Sequence, residues 1–272
     1  MFSLLGFVGI NLLGCSGEIP LGAGPEGDAR LTADIFTWEC TDLEDSYWEG
    51  VYAFNISLEY APDGVQDREL PQPGECSGSL SMFPTDAGGA GAELPDDGVS
   101  PAWETTTDSG EFTPSTDGFW SDEVLDASHT CNFPEDVVSS GVSLVEAGQF
   151  SGAQTPAAGR IIDVTLSEDA SDGLVFGEEV EIDWTTEGWD ESWVQVRMER
   201  EGESWGSVTC NTTGLDGFTL DDRVWGELNG GLNVEYINLY VGFQNRDEFE
   251  SSKGLKVETV TRAVHVEVIG EL

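Results

Sequence analysis

The side chains able to do covalent, redox or acid–base chemistry are few and widely spaced. There are five cysteines, Cys15, Cys40, Cys76, Cys131 and Cys210, and two histidines, His129 and His265. No two cysteines form a C-x-x-C pair and the histidines lie far apart, so a zinc centre is not expected. Leaving Cys15 aside, four cysteines remain, an even set that suggests two disulfides. Three connectivities are open. Three of the four lie in the N-terminal half, so full pairing requires one bond to reach Cys210. Gly202-Glu203-Ser204-Trp205-Gly206 matches G-x-S-x-G, and Asp221 and His265 follow in nucleophile–acid–base order. That motif needs a strand-to-helix turn to lift the serine. Strands are expected on both sides here, and a polar hairpin turn is the simpler reading. With two histidines, acid–base work would fall to carboxylates, and among 53 acidic residues no pair is singled out by spacing. Residues 168–179 loosely echo a calcium loop, but Ala170 stands where an oxygen ligand belongs. An acidic loop over Asp117–Asp126 is the other place where calcium could associate. The expectation is no catalytic residue, no metal, no cofactor and no enzyme activity.

Charge narrows the partners. The 53 acidic residues face 10 basic ones, a formal net of −43. Twenty-eight acidic residues precede position 156 and 25 follow it, so the whole surface is acidic rather than one tail. Repulsion of this size opposes compaction unless salt screens it, and at molar salt the Debye length falls to about 3 Å. A saline habitat is therefore expected. No basic patch can be assembled to neutralise phosphates, which excludes nucleic acid as a partner. Aromatic content of 10%, with nine Trp, points to packed cores rather than disorder.

The elements that must position these residues are strands. Phe36, Trp38 and Cys40 alternate with polar neighbours. Tyr52, Phe54, Ile56, Leu58 and Tyr60 alternate with Ala53, Asn55, Ser57 and Glu59, the pattern of a half-buried strand. Leu80 and Met82 suggest another strand, and Val142 to Val145 a short one. Residues 84–118 read mostly as loop. The segment 151–159, SGAQTPAAG, reads as a linker. Beyond it, inward rows are expected at Ile162, Val164 and Leu166; at Val180, Ile182 and Trp184; at Val194, Val196 and Met198; at Ile237, Leu239, Val241 and Phe243; and at Val260, Val264, Val266 and Val268. Val208 and Phe218 mark shorter strands. About seven strands in some 110 residues indicate a β-sandwich. The fold class is all-β, with an N-terminal β-rich domain with long loops over 35–152 and a second sandwich over 160–272. No stretch shows a sustained helical period.

Residues 1–15, MFSLLGFVGINLLGC, are apolar except Ser3 and Asn11. The run is too short to span a bilayer and has the length of a signal-peptide core. Leu12-Leu13-Gly14-Cys15 resembles the lipobox of prokaryotic lipoproteins: an aliphatic residue three before the cysteine, a small residue, then Cys. The resemblance implies acylation of the Cys15 thiol, palmitate included, and cleavage just before it. Residues 16–34, rich in Gly, Pro and Ala, would then tether the anchor to the folded part. It further implies a cell-surface or periplasm-facing position, at the outer membrane of a Gram-negative source, with membrane contact made through the lipid alone. Beside such a signal the sequons Asn55-Ile56-Ser57 and Asn211-Thr212-Thr213 carry little weight.

Gly177-Glu178-Glu179-Val180-Glu181-Ile182-Asp183-Trp184 resembles the second strand of bacterial immunoglobulin-like domains, where a Gly precedes an alternating strand ending in Trp. The Cys-Trp-Cys arrangement of antibody domains is absent. In such a sandwich the third, sixth and seventh strands share a sheet. Its outward face would carry Trp193, Gln195 and Arg197, then Tyr236, Asn238 and Tyr240, then Thr261 and His265, with His265 solvated. Aromatics beside hydrogen-bonding groups suit a glycan or a protein partner. The competing reading is that this face packs on the N-terminal domain. The functional expectation is a non-enzymatic, lipid-anchored surface protein with a structural, adhesive or partner-binding role; the alternative is a carbohydrate-binding module using this face.

Overall fold

A computed structural model describes residues 29–41, 47–60, 70–78, 101–116, 119–123, 135–167, 177–200, 203–228, 236–251 and 254–271. The chain is nearly all β. Its strands are β1 (Ala29–Thr41), β2 (Tyr47–Tyr60), β3 (Cys76–Gly78), β4 (Ala102–Glu104), β5 (Ser109–Glu111), β6 (Thr113–Thr116), β7 (Phe119–Glu123), β8 (Ser143–Leu144), β9 (Arg160–Leu166), β10 (Val180–Glu187), β11 (Glu191–Arg200), β12 (Glu203–Asn211), β13 (Gly217–Leu220), β14 (Tyr236–Glu250) and β15 (Lys256–Glu271). Among the described residues, two short α-helices, α1 (Glu135–Ser140) and α2 (Asp222–Glu227), sit between them, with a 3-10 turn at Gly148–Phe150.

A nine-stranded sheet in the order β3-β12-β11-β14-β15-β1-β2-β7-β6 forms the backbone of the molecule. Two three-stranded sheets, β13-β10-β9 and β5-β4-β8, accompany it. The first reproduces the immunoglobulin-like arrangement: β13-β10-β9 opposes β12-β11-β14-β15. Trp184 on β10 meets Phe243 on β14 edge-to-face at 5.9 Å between ring centroids. Gly177, at φ 88°, takes the left-handed turn that starts β10, and Val180, Ile182 and Trp184 point inward while Glu179, Glu181 and Asp183 are exposed. On the other half, Trp103 of β4 is buried and its indole N–H donates to Asp122 Oδ2 on β7 at 2.8 Å. Tyr60 of β2 tilts against Phe150 at 5.5 Å.

The two halves foreseen at 35–152 and 160–272 are joined edge to edge. β1 pairs in parallel with β15 from Ala29↔Val257 to Thr37↔His265, and β3 pairs with β12. One hydrophobic cluster runs from Ala29, Ile56 and Trp103 through Ile182 and Val196 to Ala263. The segment read as a linker is packed down instead. Ala153, Thr155 and Ala158 are buried. Asn245 Nδ2 donates to the carbonyls of Ala157 and Gly188, each at 2.9 Å, and Thr261 Oγ1 donates to that of Pro156. Small residues and a proline mimic a linker, but here they let the backbone lie close to the sheet.

Other expectations change at specific residues. Residues 16–28 lie outside the described residues, and 29–34, read as the end of a tether, belong to β1, with Ala29, Leu31 and Ala33 fully buried. Its inward row is half alanine, which hides the alternation. Part of 84–118 is strand: β4, β5 and β6. The Asp117–Asp126 loop contains β7. Ile162 is 49% exposed while Ile161 is buried, because β9 bulges opposite Thr185/Thr186. The last row is inverted. Val257 and Ala263 face the main core, and Thr261 and His265 share that face by alternation; Val264 and Val266 face the opposite side. His265 is 1% exposed, not solvated. β15 is flanked by β14 and β1 and covered on both faces, so hydrophobicity alone does not mark its inner side.

Candidate functional site

The second face of the large sheet carries the residues read as a binding surface. Ladder pairing places Trp193 opposite Gly242, Gln195 opposite Tyr240 and Arg197 opposite Asn238; Tyr236 lies opposite Glu199. The next strand contributes Val264 opposite Gly242 and Val266 opposite Tyr240, and β1 adds Phe36 opposite Val264. The structure thus brings these positions together, with Val264 and Val266 in place of Thr261 and His265. None of those whose side chains are described is exposed. Trp193 is 0% exposed and Gln195 1%, Asn238 is buried, and Tyr240 and Arg197 are half-buried. Trp193 and Val264 form a second small hydrophobic cluster with Phe36, Leu70, Tyr240 and Val266. The Trp193 ring lies across Gly242, where any Cβ would overlap it. Gln195 Nε2 donates to Thr209 Oγ1 at 2.9 Å. A flat aromatic platform for a sugar is not what this face presents.

Further along the same face the charges gather, unforeseen from spacing. Arg262 is buried and forks onto Asp34, Nε to Oδ1 at 2.7 Å and Nη2 to Oδ2 at 2.9 Å. Arg30 Nε donates to Glu258 Oε2 at 2.5 Å, and Arg246 Nη1 to Glu258 Oε1 at 3.2 Å. Arg246 also pairs with Glu191, and Arg30 with Glu59 at 3.8 Å. Three of the chain's ten basic residues therefore converge where β1, β14 and β15 meet. They line a recess of about 10 Å³, room for about one water. Set against Asp34, Glu59, Glu191 and Glu258, the three arginines are outnumbered by carboxylates, so this is an ion-pair seam. The signal in the sequence was Arg30 and Asp34 at i, i+4 on a strand, too common to read without the partner strand.

The catalytic candidates do not assemble. Ser204 lies within β12, paired with Glu199 across a hairpin, and no helix follows it directly. Asp221 caps α2, its Oδ1 accepting from the N–H of Arg223 at 3.0 Å and of Val224 at 3.3 Å. His265 is buried in β15. Among the described residues, no three His, Cys, Asp or Glu side chains are placed to hold a metal ion. Residues 168–176, His129 and Leu80–Met82 lie outside the described residues, as do Cys15 and Cys131. Among the described residues no helix is long and apolar enough to cross a membrane. Asn211 of the second sequon is buried and its amide donates to Pro71 O at 2.6 Å, so it is not available to a glycan. Asn55 of the first sits inside β2.

One pair of cysteines is joined. Cys76 of β3 and Cys210 of β12 are directly opposed in the ladder and form a disulfide. This is the bond to Cys210 that the cysteine count required. Cys40 lies in β1, opposite Trp48.

Fold and site together describe an exceptionally acidic all-β protein of β-sandwich type, with an immunoglobulin-like half and a disulfide across its halves. No family model matches the chain, and no curated protein does. A solved structure, of a DUF3823 family protein from Bacteroides ovatus, is similar at 14% identity, over 59% of this chain and 88% of that one, with a TM-score of 0.22.

Proposed function

We propose that this chain is a lipid-anchored, non-enzymatic protein of the cell surface, acting as a structural or partner-binding element in a saline environment. The observation that carries the reading is the Cys76–Cys210 disulfide. Such bonds persist in oxidising compartments and are rare in the cytosol. It joins a chain whose Cys15 stands in a lipobox-like setting. If the remaining two folded-region cysteines also pair, the second bond is Cys40–Cys131. The even acidic surface supports solubility at high salt and leaves membrane attachment to the lipid rather than to charge. A glycan-binding role through Trp193, Gln195, Arg197, Tyr236, Asn238 and Tyr240 draws no support from a face this closed.

The test is intact mass and fractionation from the native host. The expected product begins at residue 15, carries acyl chains and enters the detergent phase, and Cys15→Ser moves it to the aqueous phase with residues 1–14 retained. An unacylated, aqueous wild-type product would overturn the anchor. Turnover in esterase or glycosidase assays would overturn the non-enzymatic reading.

A further inference from the structure

The disulfide sits at the end of a strap that forms one edge of the large sheet. Residues 70–78, LPQPGECSG, run from the second face of the large sheet around its edge to β3. At one end Leu70 packs against the Trp193–Val264 cluster, with Phe36, Tyr240 and Val266 around it. Asn211 Nδ2 donates to Pro71 O at 2.6 Å. A turn over residues 72–75 is exposed, closed by Glu75 N–H donating to Gln72 O at 2.8 Å. Gly74 N–H then donates to Asn211 O at 2.8 Å, and Asn211 N–H to Glu75 O at 3.0 Å. At the other end Cys76, Ser77 and Gly78 pair with Cys210, Thr209 and Val208. The strap's ladder is three residues long, lies at a sheet edge and is continued by the backbone bonds of Gly74 and Glu75 to Asn211. Two prolines remove donors from its first half. The disulfide is the covalent link between this edge strap and β12.

The bond is also unequally buried. Cys210 is 1% exposed within the main core, while Cys76 is half-buried at the edge.

We propose that Cys76–Cys210 is a redox-operated clasp: oxidised, it holds the 70–78 strap on the sheet edge with Leu70 over the aromatic cluster; reduced, it releases the strap and opens Trp193 and Tyr240 to solvent. The reductant is a protein or small-molecule dithiol. One of its thiolates attacks Sγ of Cys76 and the S–S bond breaks, Cys210 leaving as a thiolate that takes up a proton. The second thiol of the reductant then displaces Cys76 from the mixed disulfide. Two electrons and two protons pass to the protein, and the dithiol becomes a disulfide. The inference is independent of how the chain is anchored.

The test compares the oxidised full chain with Cys76→Ser/Cys210→Ser, by hydrogen exchange and hydroxyl-radical footprinting read peptide by peptide. Amides of 74–78 and of 208–211 are expected to exchange at least about tenfold faster in the variant, and oxidation of Trp193 and Tyr240 to rise, while the β14–β15 ladder keeps its protection. Unchanged strap exchange, or unchanged footprints at Trp193 and Tyr240, would overturn the proposal. So would loss of β14–β15 protection, which would make the bond a staple of the whole fold. Titration of the wild type with dithiothreitol gives the same readout without substitution. Asn211→Ala in the oxidised protein should loosen 70–71 and leave 76–78 protected; equal loosening of both ends would show that the disulfide is not what holds the strap.

Discussion

Two single residues show how much of the fold hangs on contacts invisible in one segment. Asp34 and Arg262 are directly paired across the parallel β1–β15 seam and both are nearly buried, 5% and 3% exposed. Removing one member leaves the other charged and desolvated, which typically costs about 3–5 kcal/mol. Asp34→Ala should lower stability by an amount in that range, measured by denaturant unfolding. A loss below about 1 kcal/mol would mean that the Arg262 guanidinium finds water. Gly242 is the second case. It is glycine because the Trp193 ring covers it, so Gly242→Ala should cost about 1–3 kcal/mol by overpacking. A Trp193→Leu background should relieve most of that cost, and failure of the rescue would place the clash elsewhere.

At the scale of elements, period-two alternation identifies strands well where one face is wet. β10 follows it residue by residue, as do the inner rows of β14 and of β2 over Phe54, Ile56 and Leu58. It misleads where a bulge or a second covered face intervenes. In β9 the bulge passes the inward role from Ile162 to Ile161, so the two neighbours should respond differently to the same change. Ile161→Ala is expected to cost about 2–4 kcal/mol and Ile162→Ala less than about 0.5 kcal/mol, by thermal or chemical melts. Equal effects would place the bulge elsewhere. In β15 both faces are covered, and valine was a poor guide to which side is the core. Alternation at Phe36, Trp38 and Cys40 marks the second part of β1, but its first part is hidden because alanine at positions 29 and 33 supplies a small inward row beside Arg30, Thr32 and Asp34. The linker reading of 151–159 failed for a related reason: small residues suit close packing as well as freedom.

For the whole molecule, charge and continuity set the behaviour. One hydrophobic cluster and one nine-stranded sheet span both halves of the sequence, and the Cys76–Cys210 bond encloses 134 residues of separation. A single cooperative unfolding transition is expected rather than two. The net charge of −43 opposes that cooperativity through self-repulsion, while the buried pairs at the β1–β15 seam are shielded from salt. Calorimetry from 0.1 to about 2 M KCl should therefore raise the melting temperature by several degrees, with the transition still single. A melting temperature independent of salt would show that surface repulsion does not limit stability, and with it would go the argument for a saline habitat.

The amino-acid sequence by itself determined the all-β class, most strand positions of the second half, the acidic surface and, if all four cysteines pair, a bond to Cys210. Each of these depends on composition, on parity or on a local period, and none requires knowing a partner. Of the aromatic face, its membership was legible on β11 and β14 because alternation is local, but its exposure was not. Whether a side chain meets water depends on what the rest of the chain lays over it. Tertiary structure alone decided that Leu70 and Phe36 join Trp193, that β1 continues the sheet beyond β15, that Asp34 meets Arg262, and that Cys76 is the residue Cys210 takes. Those contacts join residues more than a hundred positions apart, and no local pattern records which distant strand lies alongside.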